Sequence, residues 1–301
     1  MLKNQYFTKI MFSLFRIAIL SVMFFINSAF ANKNEVTLIT FDTLKSNEEA
    51  FNSNMPRNFR DLNDPSLKIG INAIASGQFT EEELLAVKQK YSKEKIMIVD
   101  LRLESHSFVN GIPISWRSPF DKSNLGKTAN KILFEEQQKS LEISKNSSMI
   151  ISEIIKKDVK NGWYSEIIPV IVNVKKVETE YQMAKRNGFD YKRFDIKDHS
   201  PPSEKQLEEI VDFIKKVPAD TKLYVHCAAG KGRTTTFLTI YDIIKNGSTI
   251  SLEDIFKRQS KIGGSKLDKI EEDEKWREDL AKERLELITK FYQKYKNASI
   301  Q

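Results

Sequence analysis

The only cysteine of the 301-residue chain lies in a short segment whose residue types could carry out displacement at phosphorus. A helical pattern follows this loop, whose sequence is Cys227, Ala228, Ala229, Gly230, Lys231, Gly232 and Arg233. A short loop that ends at a helix start points backbone N–H groups inward, the arrangement that holds a phosphate-sized anion. The same field stabilises a thiolate at the mouth of the loop. The segment therefore predicts a cysteine-dependent phosphatase.

Each part of the loop has a chemical task in hydrolysis of a phosphate monoester. Cys227 is the predicted nucleophile, and the amides of residues 228–233 stabilise the equatorial oxygens. The planar fork of Arg233 can hold two phosphate oxygens at once, while Gly230 and Gly232 leave room for the backbone to turn its amides inward. The hydroxyl of Thr234 is expected to hydrogen-bond the thiolate and make it a better leaving group.

The proton for the departing alkoxide must come from another segment, and Asp198 is the best candidate. It begins the sequence Asp198-His199-Ser200-Pro201-Pro202, a proline-stiffened loop that could close over substrate. The Asp-x-x-Pro spacing is equally consistent with an ordinary turn that has no catalytic role. His199 is either a phosphate donor or a surface residue, and His226 is expected to be a structural hydrogen-bonding group.

The first 31 residues predict a signal peptide. Three basic residues and no acidic ones precede the apolar run Ile17–Ile26, and cleavage is expected after Ala31. An uncleaved anchor is the alternative, but the run is about half of the roughly 20 residues that span a bilayer. Cleavage leaves residues 32–301 with a formal net charge of +4 rather than +7. We therefore expect an exported protein, periplasmic or secreted, without a stable membrane anchor.

Composition narrows the remaining chemistry. One cysteine and three histidines, scattered along the chain, do not form a zinc-ligand pattern, so we expect no metal and no cofactor. Basic residues are interspersed with acidic ones and aromatic residues follow core periodicity, so no nucleic-acid partner is expected. The oligomeric state is left open.

The order of the predicted elements favours an α/β fold. Helices are expected to begin at Thr80, Ala129, Thr179 and Ser203, and strands near Ile96, Tyr191 and Thr221. Alternation of strands and helices predicts a mainly parallel, twisted sheet flanked by helices, with Cys227 at a strand's carboxyl end, where such sheets bind ligands. Residues 111–127 are expected to be loop. Strands within about 145–180 predict a small β-rich subdomain.

Charged groups near the end of the Ile96 strand are expected mainly to form a buried ion-pair network that supports the loop, with direct substrate contact as the alternative. They are Asp100, Arg102, Glu104 and His106. The last helix is expected to pack through Trp276, Leu280, Leu287 and Phe291, with its other charges in solvent.

Residues 226–234 resemble the signature loop of the protein tyrosine phosphatase superfamily. The flanks are more narrowly similar to the bacterial protein-tyrosine-phosphatase-like phytases, which are inositol polyphosphate phosphatases. The resemblance covers most of the mature chain. It rests on Asn58-Phe59-Arg60, residues 99–106, 111–116, 124–127, Asp198-His199, 251–255, Arg258-Gln259 and 262–264.

The resemblance implies a role for individual residues. Cys227 matches the family's nucleophile, Arg233 its phosphate-binding arginine, Asp198 its general acid and His199 a neighbouring substrate contact. Arg60 matches a basic residue near the substrate. Arg277 and Arg284 stand where relatives carry phosphate-contacting lysines on the last helix, a change that keeps charge but alters donor geometry.

The resemblance implies a protein-tyrosine-phosphatase-like core and a metal-independent hydrolase acting on myo-inositol hexakisphosphate and lower inositol polyphosphates. In such an enzyme, Cys227 would attack a phosphate group of the anionic inositol phosphate and form a cysteinyl-phosphate intermediate. Lys231 resembles the lysine of lipid phosphoinositide phosphatases, so a phosphoinositide or phosphotyrosine phosphatase is the alternative enzyme. A non-catalytic phosphate-binding module is the alternative of another class.

Overall fold

The computed structural model describes residues 37–42, 54–67, 69–270 and 272–298. The chain divides into two units, residues 1–38 and 39–301, and only Thr37 and Leu38 of the first are described. The expected signal peptide lies outside the described residues. All that follows concerns the second unit, apart from Leu38 at the start of its first strand.

A five-stranded sheet forms the centre of the second unit and carries the cysteine. Its strands are β2 (Arg60–Asp61), β3 (Ala73–Ser76), β4 (Lys95–Arg102), β10 (Asp190–Ile196) and β11 (Thr221–His226). They lie in the order β10-β4-β11-β3-β2, and only the β2–β3 pair is antiparallel. Strand β11 is the middle strand and is buried along its whole length. The mainly parallel α/β sheet predicted from the sequence is therefore confirmed.

Helices cover both faces of this sheet. One core cluster joins Val99, Leu223 and Val225 to Ile210 and Phe237, whereas the other joins Ile98 and Tyr224 to Leu84 and Met183. No helix in the described ranges is long and apolar enough to span a membrane. The helices are α1 (Glu81–Lys90), α2 (Ala129–Ser144), α3 (Glu180–Arg186), α4 (Glu204–Lys216), α5 (Gly232–Asn246), α6 (Leu252–Lys261) and α7 (Lys275–Ala298).

The helix starts predicted at Thr80, Thr179 and Ser203 are confirmed, and a capping box that was not predicted is also formed at Thr179. The side-chain hydroxyl at each of these positions accepts a hydrogen bond from the backbone amide three residues later. The side chain of that later residue accepts in turn from the backbone amide of the capping residue. Each box satisfies two amide donors that a helix start would leave unpaired. These signals are local, which is why the sequence alone placed them.

The second sheet has six strands, which are β1 (Leu38–Phe41), β5 (His106–Val109), β6 (Ile112–Arg117), β7 (Ser148–Asp158), β8 (Trp163–Asn173) and β9 (Val177–Glu178). They lie in the order β8-β7-β1-β6-β5-β9. The long hairpin β7–β8 and strand β9 fall in the 145–180 range, whereas β1, β5 and β6 come from earlier segments. The core of this sheet includes Ile114, Trp116, Ile143 and Ile151.

The prediction that residues 111–127 form a loop is wrong for half of that range. Strand β6 occupies its first part, and a 3₁₀ turn follows at Pro119–Asp121. Pro113 obscured the strand pattern, because proline cannot donate to a sheet ladder. Its carbonyl accepts from the amide of Asp42, 3.1 Å away, so the position still takes part in the sheet.

The packing predicted for α7 is confirmed in part. Leu287 and Phe291 lie against the core cluster that contains Ile243 and Ile255, as expected. The most buried side chains of the helix are nevertheless Ala281, Arg284, Ile288 and Tyr292, whereas Leu280, Leu287 and Phe291 are only partly buried. Periodicity identified the helix without specifying its most buried face.

Candidate active site

Cys227 follows β11 directly and lies in the wall of a cleft of about 620 Å³. It is 3% exposed, and α5 begins five residues later at Gly232. Gly230 has φ +71°, and a Cβ there would lie 2.3 Å from the backbone carbon of Ser76. Only glycine can therefore take the loop past β3 at this position.

Arg233 is held from behind by a buried carboxylate. Its Nη1 donates to Glu104 Oε2 at 2.8 Å and its Nη2 to Glu104 Oε1 at 3.0 Å. Glu104 also accepts from Nε of Arg102 at 2.9 Å, and Arg102 in turn donates to Asp42. These groups form the buried ion-pair network that the sequence predicted. It fixes the guanidinium while Nε of Arg233 is left without a hydrogen-bond partner among the described residues.

The carboxylate of Asp198 lies beside the guanidinium of Arg233. Its Oδ1 lies 3.1 Å from Nη2 of Arg233 and accepts from the amide of His199 at 3.0 Å. Burial acts to raise the pKa of Asp198, but the charges of Arg233 and His199 outweigh it and lower that pKa to about 2. The carboxylate is therefore ionised in the ligand-free cleft, and it faces the loop that carries Cys227.

Most of the residues predicted for the site line this cleft. Nothing in the structure tests their chemical roles, which stay predictions. The lining members of the predicted set are Asp198, His199, Cys227, Ala228, Ala229, Lys231, Gly232, Arg277 and Arg284.

The last helix and the 263–265 loop constrain two of these residues. Arg284 donates through Nη2 to the carbonyl of His199, so it fixes the loop that carries Asp198. Nζ of Lys231 donates to the carbonyl of Gly263 at 2.7 Å. Arg277 stacks on Trp276, and Trp276 packs edge-on against the His199 ring at 5.4 Å.

Gly230, Arg233, Thr234 and Arg60 do not line the cleft. The hydroxyl of Thr234 is buried and has no hydrogen-bond partner within the described ranges, so its predicted bond to Cys227 is not formed. Arg60 is 5% exposed and donates to backbone carbonyls instead. The structure thus does not place Arg60 at a substrate-contacting surface, because β2 holds it behind the loop.

Sequence reasoning missed several groups that line the cleft. Arg117 and Asp121 lie in the segment taken for loop, and Lys157 comes from the hairpin of the second sheet. The alternation across β6 was a usable signal for Arg117. Nothing local marked Arg57 or Lys157, because they reach the cleft only through tertiary packing.

Asp121 gives the cleft a second carboxyl group of different character. Phe120 and Asp121 both have positive φ, at 55° and 49°, an uncommon conformation for residues other than glycine. Burial, opposed by Arg117 and reinforced by Glu104 and Asp198, raises the pKa of Asp121 to about 6. Asp121 therefore titrates nearer to neutral pH than Asp198, so these two carboxyl groups can differ in protonation state.

Two buried histidines share a carboxylate behind the loop. Nε2 of His226 lies 2.7 Å from Oε1 of Glu180, which supports the structural role expected for His226. Nε2 of His106 lies 3.2 Å from Oε2 of Glu180 and 3.3 Å from Oδ2 of Asp100. Asp100 and His106 were expected in one buried network, whereas nothing in the sequence indicated that Glu180 would join them.

The contacts of this cluster are those of an imidazolium between two carboxylates. Nδ1 of His106 lies 2.9 Å from the carbonyl of Glu104, so that nitrogen must carry a proton. The facing carboxylate oxygens accept further bonds from Tyr191 and Gln78, each at 2.9 Å. Burial and Arg102 lower the pKa of His106, but Asp100 and Glu136 outweigh them and raise it to about 10.

We expect this ion pair to make stability depend on pH in the alkaline range. The folded-state pKa of His106 lies above its unfolded value, so its contribution is full below about pH 6.5 and is lost as pH rises through about 10. His106→Gln should cost about 3–5 kcal/mol at pH 6, since it removes the cation between two buried carboxylates. These carboxylates then keep only Arg193 and His226 as basic partners in the described ranges. Urea unfolding of both proteins from pH 6 to 10 measures this, and a constant difference would contradict it.

Comparison with known proteins finds similarity to one family. The family model described as PTP-like phytase, inositol hexakisphosphate, matches residues 99–245. The effector protein hopD2 of Pseudomonas syringae pv. tomato is 29% identical over 184 residues, 60% of this chain and 38% of that protein.

Solved structures agree with the family match. The PTP-like myo-inositol phosphatase of Mitsuokella multacida, solved with myo-inositol-(1,3,4,5)-tetrakisphosphate, has a TM-score of 0.74 and 32% identity over 87% of this chain. A PTP-like phytase of Bdellovibrio bacteriovorus has a TM-score of 0.66 and 26% identity, covering 87% of this chain and 89% of that one.

The chain spans less than half the length of the Pseudomonas protein and 45% of the Mitsuokella chain. Within this span the family match includes both the Asp198 loop and the Cys227 loop. The fold, the placement of these two loops and the matches together show that the chain is similar to the PTP-like phytases.

Proposed function

We propose that this protein is a cysteine-dependent phosphatase that removes phosphate from myo-inositol hexakisphosphate and lower inositol polyphosphates. The observation that carries the proposal is Cys227 in the wall of a cleft lined by eight basic and six acidic side chains. An excess of positive charge attracts a multiply charged anion and aligns it before reaction. The basic side chains are Arg57, Arg117, Lys157, Lys231, Lys266, Lys269, Arg277 and Arg284.

The first step forms a covalent intermediate. The Cys227 thiolate attacks phosphorus, an S–P bond forms, and the P–O bond to the inositol ring breaks as Asp198 gives its proton to the departing oxygen. Bound phosphate competes for Arg233, which weakens the ion pair that keeps Asp198 ionised. The pKa of Asp198 therefore rises when substrate binds, so that the carboxylate takes up a proton from solvent and holds it for the departing oxygen.

The second step regenerates the enzyme. Water attacks phosphorus, the S–P bond breaks, and Asp198 takes the proton that the water loses. Phosphate leaves and Cys227 returns to the thiolate. The loop amides and Arg233 stabilise the equatorial oxygens in both steps.

Phosphate release from inositol hexakisphosphate, a soluble phosphoinositide and a phosphotyrosine peptide tests the substrate assignment. The assay contains EDTA and compares kcat/KM for the three. Higher kcat/KM for inositol hexakisphosphate supports the proposal, whereas preference for either other compound replaces it with the alternative enzyme. No release from any of them, with binding retained, indicates a phosphate-binding module.

Asp198→Asn is expected to lower kcat on inositol hexakisphosphate by about 10³-fold, since a general acid contributes on this scale. The loss on p-nitrophenyl phosphate should be much smaller, because nitrophenolate leaves without a proton. The matched control is Asp195→Asn, which removes a carboxylate that pairs with Arg193 at 3.0 Å on the preceding strand. Equal losses on both substrates would exclude Asp198 as the acid.

We also propose that the protein is exported and cleaved after Ala31, to a periplasmic or extracellular destination. The support is the basic stretch, short apolar run and small-x-small site of the sequence. Mass spectrometry of the exported fraction should find Asn32 at the N-terminus. A mature protein that retains Met1, or one found only in the cytoplasm, would overturn the proposal.

A further inference from the structure

Three side chains from one short segment bind three consecutive carbonyls of the cysteine loop. Nη2 of Arg57 donates to the carbonyl of residue 228 at 2.5 Å, and Nδ2 of Asn58 to that of residue 229 at 2.9 Å. Nη1 of Arg60 donates to the carbonyl of residue 230 at 2.9 Å. We call these three residues the carbonyl clamp.

The clamp determines the direction of the loop amides. In a planar trans peptide the carbonyl of one residue and the N–H of the next point in opposite directions. Donors that hold the carbonyls of residues 228–230 on one side therefore turn the amides of residues 229–231 to the other. The cradle for phosphate is thus imposed on the loop by the segment before β3, as well as by the loop's own glycines.

Arg60 lacks the ion pair that three other buried arginines make. Arg102, Arg117 and Arg233 each lie within ion-pair distance of a carboxylate. Arg60 lies within such a distance of no carboxylate in the described ranges, and its Nε and Nη2 have no hydrogen-bond partner there. A buried charge without a counter-ion is costly, so a negative group elsewhere is expected to stabilise it.

Cys227 is the candidate for that negative group. Burial lowers the pKa of Arg60 to about 10, and the nearby thiolate opposes this effect. The attraction is mutual, because coupling between two sites acts equally on both. The phosphate that binds over the loop would add to the same effect.

We propose that Arg60 is a positioning residue that acts from behind the loop and touches no substrate. Its hydrogen bond fixes the Gly230 carbonyl outward, and its unpaired charge stabilises the Cys227 thiolate. The proposal rests on the proposed function for the use of that thiolate, and it replaces the substrate contact expected for Arg60 from the sequence.

Alkylation of Cys227 by iodoacetamide tests the charge directly, because the chain has one cysteine and the reaction needs no phosphatase activity. Arg60→Gln should raise the pH at which alkylation is half-maximal by about one unit, as removal of a nearby opposite charge does. It should lower kcat about tenfold, as loss of a group that orients oxyanion donors does, and leave KM within about twofold.

Arg60→Lys separates charge from geometry. The ammonium retains the charge but not the planar guanidinium whose Nη1 donates to the carbonyls of both Gly230 and Asn58. Its alkylation midpoint should stay near that of the natural protein while kcat falls. This variant decides the question if Arg60→Gln does not fold by circular dichroism; a midpoint raised by a full unit, or an unchanged kcat, then overturns the proposal.

Lys222→Gln is the matched control. Lys222 is buried at the opposite end of β11 and pairs with Glu94 at 3.1 Å. Its loss should lower the melting temperature without moving the alkylation midpoint. An unmoved midpoint in folded Arg60→Gln, or a raised KM with an unmoved midpoint, overturns the inference. Absence of phosphate release by the natural protein would instead refute the proposed function, with the alkylation result still interpretable.

Discussion

Cys227→Ser is expected to reduce kcat for phosphate release on the order of 10⁵-fold, the scale seen when an enzyme's nucleophile is removed. A serine hydroxyl in this loop gains no general base from the preceding residue, because His226 is bonded to Glu180 within the core. The field that stabilises a thiolate cannot ionise an alcohol to a useful extent. The measurement is steady-state release from inositol hexakisphosphate.

Binding should survive this substitution. The loop amides and the basic side chains of the cleft are untouched, so calorimetric affinity for inositol hexakisphosphate should stay within about tenfold of that of the natural protein. A variant that binds but does not turn over would separate the nucleophile from the anion cradle. Turnover at the natural rate would refute the covalent mechanism.

Arg233→Lys should lower kcat by about 10³-fold, the scale of losing a key donor to the developing oxyanion. A lysine offers a single nitrogen, whereas Arg233 holds both oxygens of Glu104 and also reaches Asp198. The ammonium cannot bind these groups and orient phosphate oxygens together. Free energies of unfolding should fall too, since Glu104 keeps only part of its pairing.

Arg258→Lys is the control for loss of an arginine fork. Arg258 pairs through Nε with Asp242 at 2.8 Å, on the far part of α5 and away from the cleft. This change should reduce stability while kcat stays close to that of the natural protein. If Arg233→Lys and Arg258→Lys had the same small effect on kcat, Arg233 would be a structural residue only.

The errors in the sequence interpretation have particular causes. Strand β6 was missed because Pro113 interrupts a pattern whose other positions alternate correctly. Arg60 was assigned to the substrate because its neighbours match a family motif, whereas β2 pairs it with Ala75 and places it behind the loop. The burial of Ala281 and Ile288 on α7 was not predicted, because an amphipathic pattern with many charges does not specify which neighbour the helix will meet.

What the amino-acid order determined by itself was the chemistry of contiguous segments: the thiol, glycines and arginine of residues 227–233, and the helix starts at Thr80, Thr179 and Ser203. These features depend on hydrogen bonds between residues a few positions apart. Tertiary structure decided the partners, since Arg60 meets a carbonyl 170 residues away and Arg233 a carboxylate 129 residues away. Such pairs are set by strand register and helix packing, to which no short stretch of sequence gives access.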